Sequence, residues 1–276
     1  MTTVAEANDL SARSARLRHL IITVYGLYAR PDGGWLSIAS LIRLLSDLGI
    51  DEAAVRSAIS RLKRRGILQS ARHGGAAGYQ LSAGAEAILR EGDARIFRRR
   101  RATAADGWVL AVFSVPESER HRRHVLRSEL TRLGFGMVAP GVWIVPAHPQ
   151  DSTAGTLRRL ELDGYADLFH ADYLAFGDPA AKVRRWWDLD ELERHYTSFI
   201  AAHEPVLDRS STEQEAFADY VRTLTDWRRL PYLDPGLPAE LLPEDWAGVR
   251  AADLFFALRA RLEEPARAYV KRVMVA

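Results

Sequence analysis

The residues between positions 56 and 64 carry the chemistry of a nucleic-acid ligand. On a helical projection Arg56, Ser57, Ser60, Arg61 and Arg64 share one side, with Lys63 and Arg65 flanking it. Serines permit close approach to a groove, and guanidinium groups reach phosphates or the O6/N7 edge of guanine. Val55, Ala58, Ile59 and Leu62 sit at i, i+3, i+4 and i+7 and must point inward. Arg72 and His73 follow a few residues later at the start of a glycine-rich stretch, where they add further cationic reach. A solvated charged face is the bland reading of such a helix, so the surrounding elements decide.

A second group combines aromatic and cationic residues: Trp186, Trp187, Tyr196, Phe199, Trp227, Tyr232 and Trp246 accompany Arg184, Arg185, Arg222, Arg228 and Arg229. Aromatic faces beside guanidinium groups suit a planar acyl group joined to an anionic nucleotide. A helical domain also needs such residues for its core. Other candidates fail on context. Gly134–Ala139 (GFGMVA) matches a dinucleotide fingerprint, but it follows a helix and runs into a strand, the reverse of what that fingerprint requires. The Arg72–Gly78 loop lacks the Gly-Lys-Ser/Thr ending of a phosphate loop. His121 and His124 lie i, i+3 among arginines and read as surface histidines, so no metal ligands, catalytic residues or cofactor are assigned.

The elements that must position the first group are legible. Leu17, Leu20, Ile21, Val24, Leu27 and Tyr28 have helical spacing up to Arg30–Gly34. A second helix fits Ser37–Ser46, with Ile38, Leu41, Ile42 and Leu45 inward, and residues 47–50 form a tight turn. Asp51 is the expected N-cap of a third helix that stops at Gly66. Residues 67–71 and 79–81 read as the arms of a short hairpin. Three helices and a hairpin in this order make a winged helix-turn-helix, with DNA as partner. Beyond a helical linker ending in Ile96–Arg101, the spacing predicts strands over 108–115, 136–146 (two, about Pro140-Gly141) and 167–176. Helices are expected over 121–134 and 153–162, giving the β-α-β-β-α-β order of a ferredoxin-like sandwich. Helices are then expected over 183–204, 213–229, 248–264 and from Pro265 onward. The proline-rich 231–246 stretch should be a largely extended connector.

The expected class is therefore α+β. A disordered tip (1–12) precedes a winged-helix domain (13–82) and a linker (83–106). A ferredoxin-like dimerisation or coupling domain (107–178) and a helical, effector-responsive domain (179–276) follow. Charge agrees with this division. The 276 residues carry a net charge of +2, yet residues 1–101 hold 17 Lys+Arg against 9 Asp+Glu, and the remainder 21 against 27. A chain without cysteine excludes disulfides and thiolate metal sites. Its longest apolar run, Leu20–Ala29, is about half of a bilayer crossing. A signal peptide is a poor reading of the first residues, and a cytoplasmic location is expected.

Four stretches, Ser40–Gly66, Leu133–Pro146, Trp187–Tyr196 and Leu233–Gly248, resemble the PaaX-type repressors of bacterial phenylacetate catabolism. The resemblance covers the chain from about Arg16 onward. It implies a winged helix, a central domain related to a CRISPR adaptation nuclease and a helical C-terminal domain. It further implies a homodimer on a palindromic operator, released by an aryl-CoA thioester such as phenylacetyl-CoA. The family's reading helix maps onto Asp51–Arg65 and its wing onto Arg72–Gly78. Where that family often has Asp-Val-Pro after the first central strand, this chain has Ser114-Val115-Pro116, which argues against metal-dependent DNA cleavage, the rival reading. An effector-independent activator or scaffold is the other rival. On these grounds Arg56, Ser57, Ser60, Arg61, Lys63, Arg64, Arg72 and His73 are the expected DNA-binding residues. Arg184, Trp187, Tyr196, Arg222, Trp227 and Arg228 are the expected effector-binding residues.

Overall fold

In the computed structural model, which describes residues 4–98, 101–147, 153–174 and 176–275, the chain opens with α1 (Val4–Val24). Residues 4–12, expected to be disordered, are helical there, and residues 1–3 lie outside the described residues. A π-helical turn (Tyr25–Ala29) and a 3-10 turn (Arg30–Asp32) lead to β1 (Trp35–Ser37), α2 (Ile38–Ser46) and α3 (Glu52–Arg64). Then come β2 (Leu68–His73), β3 (Ala76–Leu81), α4 (Ala83–Phe97), β4 (Trp108–Phe113) and α5 (Arg120–Arg132). The chain continues through β5 (Gly136–Ala139), β6 (Val142–Pro146), α6 (Thr153–Arg159) and β7 (Ala166–Ala171). It ends with α7 (Pro179–Trp186), α8 (Leu189–His203), α9 (Glu213–Trp227), α10 (Leu230–Leu233) and α11 (Ala247–Val275). Among the described residues no helix is long and apolar enough to cross a membrane.

The fold is mixed α/β with two small antiparallel sheets, ordered β1-β3-β2 and β5-β6-β4-β7. The residues group into two compact units, one of 1–97, 201–227 and 252–276, the other of 98–200 and 228–251. The stretch 179–276, expected as one domain, is divided between them. The expected linker helix α4 belongs to the first unit, where Phe97 lies 6.3 Å from Phe255 and the Ile96 carbonyl accepts from Trp227 Nε1 at 3.1 Å. Arg99 and Arg100 of the basic run lie outside the described residues.

In the first unit α1 packs on α3 and α9. Thr225 Oγ1 donates to Thr23 Oγ1 at 2.8 Å across the α1–α9 contact, and Thr23 passes its own hydrogen to the His19 carbonyl. Ser37 caps α2 by accepting from the Ser40 amide at 2.9 Å. The buried stripe of α2 is Leu41, Leu44 and Leu45, whereas Ile38 and Ile42, expected inward, are only half-buried. Leu41, Leu44, Leu45 and the following Leu48 form the i, i+3, i+4, i+7 set that the helix turns toward the core.

The second unit buries one face of its sheet, with Ala111, Trp143 and Val145 against Leu126, Leu130, Leu157 and Leu162. Each fully buried leucine contributes about 1.5–3 kcal/mol. Val125 is 40% exposed, because the buried residues of α5 are Leu126 and Leu130. β7 stops at Ala171, five residues short of expectation, where its pairing with β4 ends at Trp108. The helix expected over 183–204 breaks at Trp187-Asp188. Asp188 accepts from the Glu191 amide at 2.8 Å and caps a new helix, as aspartate favours. Conversely, α11 runs straight through Pro265. The lost backbone bond costs about 3 kcal/mol, and burial of Leu258, Leu262, Ala266, Tyr269, Val270 and Val273 along one face outweighs it.

Candidate nucleic-acid interface

α3 begins where Asp51 accepts a hydrogen bond from the Ala54 amide at 2.8 Å. Val55, Ala58, Ile59 and Leu62 are all buried, which fixes the rotation of the helix and forces its other side outward. Arg56, Ser57, Ser60, Lys63 and Arg64 are exposed there, while Arg61 is half-buried. Arg61 Nη1 donates to Ser57 Oγ at 2.7 Å. Arg56 places Nε 2.7 Å and Nη2 2.6 Å from Glu52 Oε1 one turn back, with both side chains more than half exposed. A solvated i, i+4 pair of this kind is worth about 0.3–0.5 kcal/mol. Glu52 therefore holds Arg56 in place yet yields readily to a phosphate or a guanine edge.

The hairpin is longer than its sequence predicts. β2 and β3 pair from Leu68↔Leu81 to His73↔Ala76, and the chain reverses at Gly74-Gly75, both in the left-handed region. Arg72 and His73 thus lie in the last two pairs of the ladder, both exposed, rather than in a loop. The His73 ring meets Trp35 edge-on at 5.1 Å, and Trp35 Nε1 donates to the Ala71 carbonyl at 3.4 Å. Lys63 Nζ stands 5.6 Å from the centre of the Tyr79 ring, and the Tyr79 carbonyl accepts from Tyr25 OH at 3.1 Å. Burial holds the Tyr25 phenol far above its ordinary pKa, so it remains the donor. These contacts tie α3, the hairpin, β1 and the π-helical turn into one piece. The eight expected DNA-binding residues therefore occur on two connected elements of one unit. Trp35 was not legible in the sequence because the three-residue strand β1 leaves no periodic signal.

The six expected effector residues are described unit by unit. Arg222 and Trp227 belong to the first unit, and Arg184, Trp187, Tyr196 and Arg228 to the second. Trp227 has no exposed surface and stacks on Phe255 at 4.7 Å and 11°. Tyr196 is equally closed in, donates to Asp234 Oδ2 at 2.6 Å and meets Trp246 edge-on at 6.0 Å. Trp187 Nε1 donates to the Gly134 carbonyl at 2.9 Å, and its ring is stacked with Trp108 at 6.3 Å. A Cβ on Gly136 would lie 2.6 Å from the Trp187 ring, so this glycine of the GFGMVA stretch admits an indole rather than a dinucleotide. Arg222 donates to the Leu48 carbonyl at 3.3 Å. Arg184 is exposed and Arg228 half-buried.

Comparison with known proteins gives a consistent result along the chain. Residues 16–85 match the family described as PaaX-like protein, residues 101–183 the PaaX protein central Cas2-like domain, and residues 187–272 the PaaX-like protein C-terminal domain. The transcriptional repressor PaaX of Escherichia coli (strain K12) is 31% identical over 266 residues, which cover 91% of this chain and 82% of that protein. Among solved structures, uncharacterized protein Rv0674 from Mycobacterium tuberculosis has a TM-score of 0.62 at 23% identity. The match covers 90% of this chain and 97% of that one, a likeness of fold.

Proposed function

The chain belongs to the PaaX family, and from that premise we propose that it is a transcriptional repressor of the phenylacetate pathway. It binds operator DNA through the exposed side of α3 and is released by an aryl-CoA thioester. On this reading α1–α3 with the β2–β3 hairpin form a winged helix-turn-helix. The four-stranded sheet with α5 and α6 forms a ferredoxin-like domain, and its strand order β5-β6-β4-β7 supports that assignment.

The observation that carries the proposal is the division of α3, four apolar residues buried on one side and Arg56, Ser57, Ser60, Lys63 and Arg64 exposed on the other. Two copies bound to a palindrome set their α3 helices in successive major grooves about 34 Å apart, and Arg72 and His73 reach the flanking backbone. For the effector, Arg184 and Arg228 in the second unit are the proposed partners of the nucleotide phosphates. Tyr196 and Trp227 are better read as core, because their rings are enclosed and their polar atoms bonded.

The reading is tested with a duplex selected by the full-length protein from a random pool. Arg56→Ala and Arg64→Ala are each expected to abolish binding to it while the circular dichroism spectrum and oligomeric state stay those of the wild type. Titrations indistinguishable from wild type for both variants would remove α3 from the interface.

A further inference from the structure

The turn between α2 and α3 is gripped by helices that follow it by more than 160 residues. Tyr269 OH, on α11, donates to Asp47 Oδ2 at 2.6 Å, and Gln214 Nε2, at the start of α9, donates to Asp47 Oδ1 at 2.8 Å. Arg222, two turns further along α9, donates to the Leu48 carbonyl at 3.3 Å. All of these residues belong to the first unit. Tyr269 is itself held: its ring lies 5.7 Å from Phe217 on α9, and the Arg272 guanidinium stands 5.9 Å from the ring centre. Arg272 in turn pairs with Glu213. Burial first, then the bond to Asp47, raises the Tyr269 pKa and keeps the phenol a donor. An open groove of about 680 Å³ passes over this contact, lined by Arg43, Asp47, Gln214 and Tyr269 and, from α3, by Glu52 and Arg56.

Asp47 stands four residues before the N-cap of α3, on a turn too short to absorb a shift. Both of its oxygens are committed to other helices, so α9 and α11 together fix where α3 starts. We propose that Asp47 is a positioning residue for DNA reading, the point at which the C-terminal helices set the pose of α3. Asp47 touches no DNA on this account. A displacement of α9 against α11 reaches Arg56 through the Asp47 carboxylate and the Leu48 carbonyl, and the groove provides room for it. The inference rests on the DNA-reading role of α3.

The test compares equilibrium binding of the full-length protein to its selected duplex and to a scrambled duplex of equal length. The Tyr269→Phe/Gln214→Ala double variant is expected to keep its affinity for the scrambled duplex, which depends on charge alone. It is expected to lose about ten-fold or more on the selected one, within the range of ordinary couplings between sites. Asp47→Asn, which retains one acceptor oxygen, should lose less, and it carries the same readout if the double variant does not fold. An unchanged ratio between the duplexes, or an equal loss on both, overturns the positioning role. A wild-type protein without preference between the duplexes sinks the DNA-reading proposal beneath it instead.

Discussion

Arg56 and Tyr196 show what residue types can and cannot disclose. The outward placement of Arg56 was legible because its neighbours at Val55, Ala58, Ile59 and Leu62 dictate which way the helix turns, and burial followed that spacing at every position. Tyr196 and Trp227 were read beside arginines as a possible ligand surface. An aromatic ring that fills a helical core has the same signature in sequence, and here both rings are fully enclosed. Close approaches were not legible at all. Gly78 on β3 lies so near β1 that an added Cβ would stand 2.3 Å from the Leu36 carbonyl oxygen and 2.6 Å from the Trp35 ring. Gly78→Ala is therefore expected to lower stability by about 1–3 kcal/mol through forced displacement of β1, read as a lower urea midpoint. An unchanged midpoint would show that β1 gives way freely.

Elements were recovered best where one periodic face meets one core. α3, β4 and the paired strands β5 and β6 about Pro140-Gly141 lie close to their expected spans, since local pattern and burial agree there. The misses arise where a non-local partner decides. β7 ends where β4 has no further residue to pair with it, although the apolar sequence continues through Leu174 and Phe176, which are left exposed. The break between α7 and α8 was hidden in a continuous helical pattern until the capping role of Asp188 is recognised. Pro265 was taken as a boundary, yet the buried side of α11 carries the helix across it. If packing alone sustains that turn, Pro265→Ala restores a backbone donor without loss, and the thermal midpoint holds or rises. A clear fall in the midpoint would mean that the proline has a structural role of its own.

For the molecule as a whole, the charge split of the sequence, +8 over residues 1–101 and −6 beyond, agrees with the proposed DNA-binding end. It does not reveal how the chain is shared out. Residues 201–227 and 252–276 join the N-terminal elements in one unit, and no local pattern announces contacts that span more than 160 residues. This arrangement gives the C-terminal helices a direct hold on the turn that precedes α3, as the proposed release on a signal requires. Ligand-responsive repression is tested most directly by an equilibrium titration of the selected duplex with and without phenylacetyl-CoA. A coupling of about 1–3 kcal/mol predicts operator affinity about 5–150-fold weaker with the thioester. An operator affinity unmoved by saturating phenylacetyl-CoA, with no heat of binding in calorimetry, would contradict it.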